Sequence, residues 1–252
     1  MQKLFDKDYT IENFEHIKAE AEEYIIAELS KNLSIITRSL DEFKKYKEKT
    51  LSIDDIPSYK ISSYLYKYIH SVNVSKKCVC LAKKSDLSVD AMALAGLLHD
   101  VGHYSCDYKL HGVKSAEMAM EFIKTHCDLP QKDIESFGRI IEAHYPIEWD
   151  ETYYKSDNIS QEEVVLLEAD FWDKNDFGSF LEKSKLNDFT EVQNKYEKIQ
   201  RNCMDLLNEK IEDRDCEYTE GFYECIKQQL DENKKQMDAF KSYMNDEKTL
   251  SI

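Results

Sequence analysis

Six glycines and three prolines are all that 252 residues contain. Tight turns draw on those residues, and strand-rich folds need many such turns, so a chain this poor in both is committed to long helices. The apolar spacing agrees. From Ile11 to about Phe43 the apolar positions (Ile11, Phe14, Ile17, Ala21, Ile25, Leu33, Ile36, Leu40, Phe43) recur at helical intervals, with Glu20, Glu22, Lys31 and Lys44 between them. That predicts one amphipathic helix, or two with a break near Asn32. Asp54, Asp55 and Pro57 mark Leu51 to Tyr59 as a connection. Further helices are expected over Ser62–Lys84, Val89–Asp100, Val113–Thr125, Ile134–Ala143 and Val164–Asp173. Pro130 and Pro146 punctuate them, and Ser160 to Glu163 forms a capping-box pattern. Tyr104 to Leu110 and Trp149 to Asn158 read as loops. Two last stripes, Phe189 to Ile211 and Phe222 to Met244, are separated by a turn at Asp213 to Thr219 and predict an antiparallel hairpin.

One stretch departs from the amphipathic pattern. Ala91 to Leu98 is apolar throughout and runs directly into His99-Asp100, two polar groups that are costly to bury without partners. A divalent cation is the simplest partner. The chain has seven histidines; His70, His99, His111, His144 and Asp170 each fall in or at the end of a different expected helix, with Asp100 beside His99. Helices side by side can aim such residues at one centre. Adjacent positions on a regular helix diverge by about a hundred degrees, so His99 and Asp100 can share a site only where their helix ends, and Gly102 is read as supplying that end.

Charge narrows the function. With a net charge of -16 and no block of Lys and Arg, the chain offers nothing to duplex nucleic acid. A small phosphorylated substrate stays open if local cations offset the field. No run approaches the roughly 18 apolar residues of a membrane span, and Met1 to Asp6 lacks the apolar core of a signal peptide. Seven cysteines without framework spacing read as reduced thiols, and Cys78-Val79-Cys80 is too tight for a zinc knuckle. The expected location is cytoplasmic.

The order His, His-Asp, His, His, Asp resembles the HD-domain superfamily of metal-dependent phosphohydrolases. The strings that carry the resemblance are Tyr68-Ile69-His70-Ser71-Val72-Asn73-Val74, Leu97-Leu98-His99-Asp100-Val101-Gly102-His103, His111-Gly112-Val113-Lys114-Ser115-Ala116-Glu117, Ile141-Glu142-Ala143-His144 and Leu167-Glu168-Ala169-Asp170. They span roughly Ser62 to Asp173. The resemblance implies an all-α, HD-type helical core at about 60–175; the apolar stripes outside it, which the resemblance does not cover, extend this to a single domain over 1–252 with a helical N-terminal extension at 10–50 and a C-terminal hairpin at 187–245. It implies one or two divalent ions, with Fe, Mn, Co or Ni suiting the ligand set. His70, His99, Asp100 and Asp170 would hold the first ion, His111 and His144 the second, with Asp100 bridging. The implied activity is hydrolysis of a phosphoester or phosphoanhydride, most plausibly in a nucleotide, with a water activated between the ions.

Many relatives carry Lys where this chain has His103, close to substrate phosphate. His103 either takes over a related role or has none, and it stands with Asp100 as a catalytic candidate. A His99/His103 chelate on one helix face is disfavoured by Gly102. Lys109, Lys114 and Tyr104 are the substrate-binding candidates, with Lys174 and Tyr108 nearby; solvated lysines beside Glu117 and Asp170 are the plainer reading. Asp173 either shares the helix face of Asp170 or pairs with a lysine. His16 reads as a surface residue and His126 as a C-terminal cap. Two other classes share these residues: a di-iron oxygenase of the same fold, and a signalling module that only binds a nucleotide. A homodimer through the flanking helices also stays open.

Overall fold

A helix that is apolar all round has to be surrounded, and the run from Ala91 to Leu98 is buried at every position. The computed structural model describes residues 1–31, 63–103, 105–145, 159–183, 189–208 and 218–250. Its helices in chain order are α1 (Phe14–Lys31), α2 (Ser63–Ser85), α3 (Val89–Leu98), α4 (His111–His126), α5 (Gln131–Ala143), α6 (Gln161–Lys174), α7 (Phe177–Lys183), α8 (Phe189–Asn208) and α9 (Glu220–Leu250). The protein is all-α; among the described residues the one strand-like contact is a parallel bridge between Gln2 and Ser160. No helix among them is long and apolar enough to cross a membrane.

The central helix α3 starts at Ser88, whose hydroxyl accepts from the Ala91 N–H (3.2 Å) and donates to the Tyr9 carbonyl (2.7 Å). Around it pack α1, α2, α5 and α6, while α4 lies on α5. The amino-terminal residues strap this bundle to the start of α6, where the Leu4 and Phe5 N–H groups donate to Glu162 Oε1 (2.9 and 3.0 Å). The expected capping box is present between Ser160 and Glu163, and Arg139 of α5 clamps Glu163 with two hydrogen bonds (2.9 and 3.0 Å). The anticipated hairpin is α8 and α9: Phe189 stacks on Phe240, and Gln200 reaches the Leu230 carbonyl, so the two run antiparallel. Cys203, Phe222 and Ile226 tie it to the main core; Phe177, Val192, Ile199 and Met237 form a second, smaller one.

Several boundaries differ from expectation for identifiable reasons. Expected segments at Asn32–Phe43, Leu51–Tyr59 and Trp149–Asn158, along with Tyr104, lie outside the described residues, as does most of Asp213–Thr219. The short helix α7 was not anticipated; Asp176 opens it by accepting from the Ser179 N–H (3.1 Å). α3 ends at Leu98, before Gly102, and no glycine has positive φ. Gly102 is needed for another reason: a Cβ there would lie 2.6 Å from the Ser115 nitrogen, so its absence lets α4 approach. α4 begins at His111, two residues earlier than expected, after a 3-10 turn at Tyr108–Leu110. Gly112 sits in its first turn because a Cβ would meet the Tyr145 carbonyl oxygen at 2.2 Å.

Glu168 of α6 is buried and accepts from both the N–H and the hydroxyl of Thr219, just before α9. Burial nevertheless pushes its carboxyl from 4.5 up to about 8. The folded protein therefore retains a proton that the unfolded chain releases, and the stability this group contributes is full below 4.5 and is lost as pH rises through about 8. Glu168→Gln cannot ionise; it is expected to raise the melting temperature by on the order of 10 °C above about pH 8 and to change it little near pH 5. Thermal unfolding at both pH values checks this; equal shifts would refute it.

Candidate metal centre

Five helix ends or faces bring the six residues together. His70 projects from the middle of α2. His99 caps the C-terminus of α3, and Asp100 follows in the turn closed by Val101 N–H to the Leu98 carbonyl (3.1 Å). His111 is the first residue of α4, His144 caps the C-terminus of α5, and Asp170 lies in the last turn of α6. All six are buried, none more than 6% exposed.

The geometry divides around Asp100. Its Oδ2 lies 3.5 Å from Nε2 of both His70 and His99. His70 Nε2 is in turn 3.1 Å from Asp170 Oδ1 and 3.3 Å from His99 Nε2. Asp100 Oδ1 faces the other way, 3.6 Å from His111 Nε2 and 3.5 Å from His144 Nε2. His103 joins this second set, with Nδ1 3.5 Å from the same oxygen. It does so from the turn beyond α3, so an HxxxH chelate on one helix face does not form.

Proton positions follow from the partners. His99 Nδ1 meets the Gly96 carbonyl (2.8 Å), His111 Nδ1 the Tyr108 carbonyl (2.6 Å) and His144 Nδ1 the Ile141 carbonyl (2.5 Å). A carbonyl oxygen can only accept, so each of these Nδ1 atoms carries the proton. His70 Nδ1 lies 2.6 Å from the Asp173 carboxylate, whose other oxygen accepts from Lys77 (2.9 Å) and the Ser179 hydroxyl (2.7 Å). Every Nε2 of the four therefore presents a lone pair inward, and burial drives the His111 ring down to about 4, keeping it neutral.

Burial alone would raise both carboxylates. For Asp100 the Lys67 ammonium chiefly outweighs it, and for Asp170 the Lys174 ammonium does, so both are held well below the ordinary carboxylate range. The cage is thus lined by acceptors. Asp100 Oδ1, Asp170 Oδ1 and His144 Nε2 are buried with no hydrogen-bond partner among the described residues, a costly state for polar atoms. Three sets of candidate ligand atoms each lie within 4.8 Å of one another: His70, His99 and Asp170; His99, Asp100 and His144; Asp100, His103 and His111. Imidazole and carboxylate donors in this arrangement fit divalent transition metals.

The substrate candidates fare differently. Lys109 is exposed on the 3-10 turn, and Lys114 is engaged with Glu117 (2.9 Å) on the surface of α4. Among the described residues, the ammonium groups bonded to cage carboxylates belong to Lys67, with Nζ 2.6 Å from Asp100 Oδ2, and Lys174, on Asp170 Oδ2. Lys67 was missed by sequence reasoning although it precedes His70 by three positions, on the same helix face. Tyr145 was missed too: its ring lies 4.2 Å from that of His111, and Tyr108 stacks on His111 at 5.0 Å. His16 pairs with Glu20 on the surface, and His126 Nδ1 bonds the Phe122 carbonyl at the end of α4, both as expected.

Asp173 combines both of its anticipated roles, sharing the face of Asp170 and pairing with Lys77. Partners that orient a ligating imidazole are typically worth about 10–100-fold in metal affinity. Asp173→Ala should accordingly weaken Mn(II) or Co(II) binding by about that factor while helicity is kept, measured by competition with a chromophoric chelator. Unchanged affinity would show that Asp173 does not orient His70.

Comparison with known proteins adds one finding. No curated protein and no solved structure matches the chain. Residues 68–171, which contain all six of these side chains, match the family model of the HD domain. The central segment of the chain is thus similar to the HD domain.

Proposed function

We propose that this protein is a metal-dependent phosphohydrolase that cleaves a phosphoester or phosphoanhydride in a small molecule. The observation that carries the reading is the inward convergence of four imidazole lone pairs and two ionised carboxylates, each imidazole proton being held on the far side of its ring. Such a cage is complementary to divalent cations and to little else. His70, His99, Asp100 and Asp170 would hold one ion and His111 and His144 a second, with Asp100 offering one oxygen to each set and His103 beside the second. When bound, such ions polarise a phosphoryl oxygen and lower the pKa of a water.

The chain's own residues do the remainder. Asp173 and the three carbonyl acceptors fix the imidazoles, so no reorganisation is needed as the reaction proceeds. Tyr108 and Tyr145 pack edge to face at 5.2 Å beside His111 and form an aromatic wall next to the second set. A planar base could stack there, which supports a nucleotide as substrate.

Wild-type protein purified without chelator should contain two ions per chain by elemental analysis and hydrolyse members of a nucleotide and sugar-phosphate panel. His111→Ala should leave one ion. His99→Ala with Asp100→Ala should leave none, with hydrolysis at the buffer rate and far-UV helicity retained. Phosphatase activity surviving in the double variant would overturn the assignment.

A further inference from the structure

Cys78-Val79-Cys80 has no part in the metal centre, and α2 sends its two thiols in different directions. Positions two apart on a helix differ by about 200°, so they do not share a face. Cys78 is fully buried against α3, where a Cβ on Gly96 would lie 2.8 Å from its Sγ. Cys80 is half-buried, and its side chain hydrogen-bonds that of Cys225 on α9. All three are free thiols.

The packing of α2 on α9 brackets this second pair. One turn after Cys80, Lys84 bonds Glu224 (3.1 Å), and a Cβ on Gly221 would lie 2.9 Å from the Cβ of Lys84. The bare glycine therefore admits α2 one turn from Cys225. On the other side, Lys77 and Gln229 share the Asp176 carboxylate (3.0 and 3.2 Å). Residues 84, 80 and 77 thus meet 221, 225 and 229 in order, so the two helices run antiparallel with the thiols between two fixed contacts. A disulfide needs Cα atoms about 4.4–6.8 Å apart and side chains aimed at one another. Buried free cysteines ordinarily serve as small hydrophobes, as Cys78 does. Cys80 differs, because a solute can reach it and a second thiol stands behind it.

We propose that Cys80 and Cys225 are a redox pair that closes to a disulfide by exchange with a small-molecule disulfide, stapling α9 to α2. The Cys80 thiolate attacks one sulfur of the oxidant, forms a mixed disulfide and expels one thiolate. The Cys225 sulfur then attacks Cys80 Sγ and expels the second. The two cysteine protons pass through solvent to the leaving thiolates, so two cysteines are oxidised and the oxidant is reduced to two thiols. The Lys84 ammonium interacts with both sulfurs and favours their thiolates. Burial, with Cys80 beside it, pushes the Cys225 thiol up to about 12. Closure is therefore faster at higher pH, and Cys225 is a poor leaving group when a reductant attacks the bond. The inference does not depend on the phosphohydrolase reading.

The test equilibrates full-length protein anaerobically in mixtures of reduced and oxidised glutathione, then quenches with acid, unfolds, alkylates and maps the peptides by mass spectrometry. The expected product links Cys80 to Cys225 and forms at least about tenfold faster at about pH 8.5 than at about pH 7. Constraint of the unfolded chain should raise the melting temperature by roughly 10 °C, reversibly on adding dithiothreitol. Cys80→Ser, at a half-buried position, and Cys225→Ala should each abolish both the link and the shift. Glutathione left on Cys80 with Cys225 still alkylated would show that the thiols do not meet. A link to another cysteine, or no reaction at the most oxidising ratio, would equally overturn the pair. A linked chain that melts no higher would show that the bond is not a staple.

Discussion

The hydrogen bonds on the outer nitrogens of His70, His99, His111 and His144 are the constraint on which the rest depends. Three of the four acceptors are main-chain carbonyls three residues earlier, at Gly96, Tyr108 and Ile141. All three lie in the last turn of a helix or 3-10 turn, where a carbonyl has acceptor capacity to spare; those of Tyr108 and Ile141 also take the backbone N–H of the same histidine. A histidine placed there satisfies a backbone group and, in the same act, turns its second nitrogen away from the helix as a bare lone pair. The cage is therefore assembled from helix termini for a physical reason. Each terminus fixes a tautomer without a dedicated side chain, and α3 and α5 need only stop at the right residue.

His70 has no terminus to use, because it lies in mid-helix, and its orientation depends on a side-chain network instead. Asp173 holds it, and Lys77 and Ser179 hold Asp173. Lys77 also bonds Asp176 (3.0 Å), which accepts from Gln229 (3.2 Å), and Gln229 in turn donates to Asn233 (2.8 Å). Asn233 is fully buried on α9 and takes the Phe177 N–H (2.9 Å) while donating to the Asn175 carbonyl (3.1 Å). Half-satisfied buried networks are costly, and completed ones rigidify. This one is completed only because α9 contributes its two amides. The carboxy-terminal helix, which lies outside the matched segment, thus helps to fix a ligand position inside it.

What could be read from the sequence follows the same division. Helix content was legible from the scarcity of Gly and Pro, and the six clustered side chains from the order of His and Asp, because both are local or ordered along the chain. The end of α3 was placed too late, since Gly102 was read as a stop when its function is to admit Ser115 of α4, a contact between distant segments. Lys67 escaped notice because a lysine in an amphipathic helix is ordinarily solvated, and only the approach of Asp100 from another helix gives it a role. Lys109 and Lys114 drew attention for being near His111 in sequence; one is exposed and the other is paired with Glu117. Proximity along the chain is a poor guide to which cation faces a carboxylate.

A net charge of -16 repels a phosphorylated substrate at long range. Screening confines that repulsion to about 8–10 Å at physiological salt, whereas contacts inside a buried site are screened far less. Whether an anion binds is then decided by the few charges within that radius. Without ions, Asp100 and Asp170 are matched by Lys67 and Lys174, and the site has no surplus attraction for phosphate. Under the proposed function, filling the cage would reverse that balance, and metal occupancy would then control anion binding as well as bond cleavage. An acidic protein working in this way would discriminate against anions everywhere except at one loaded site.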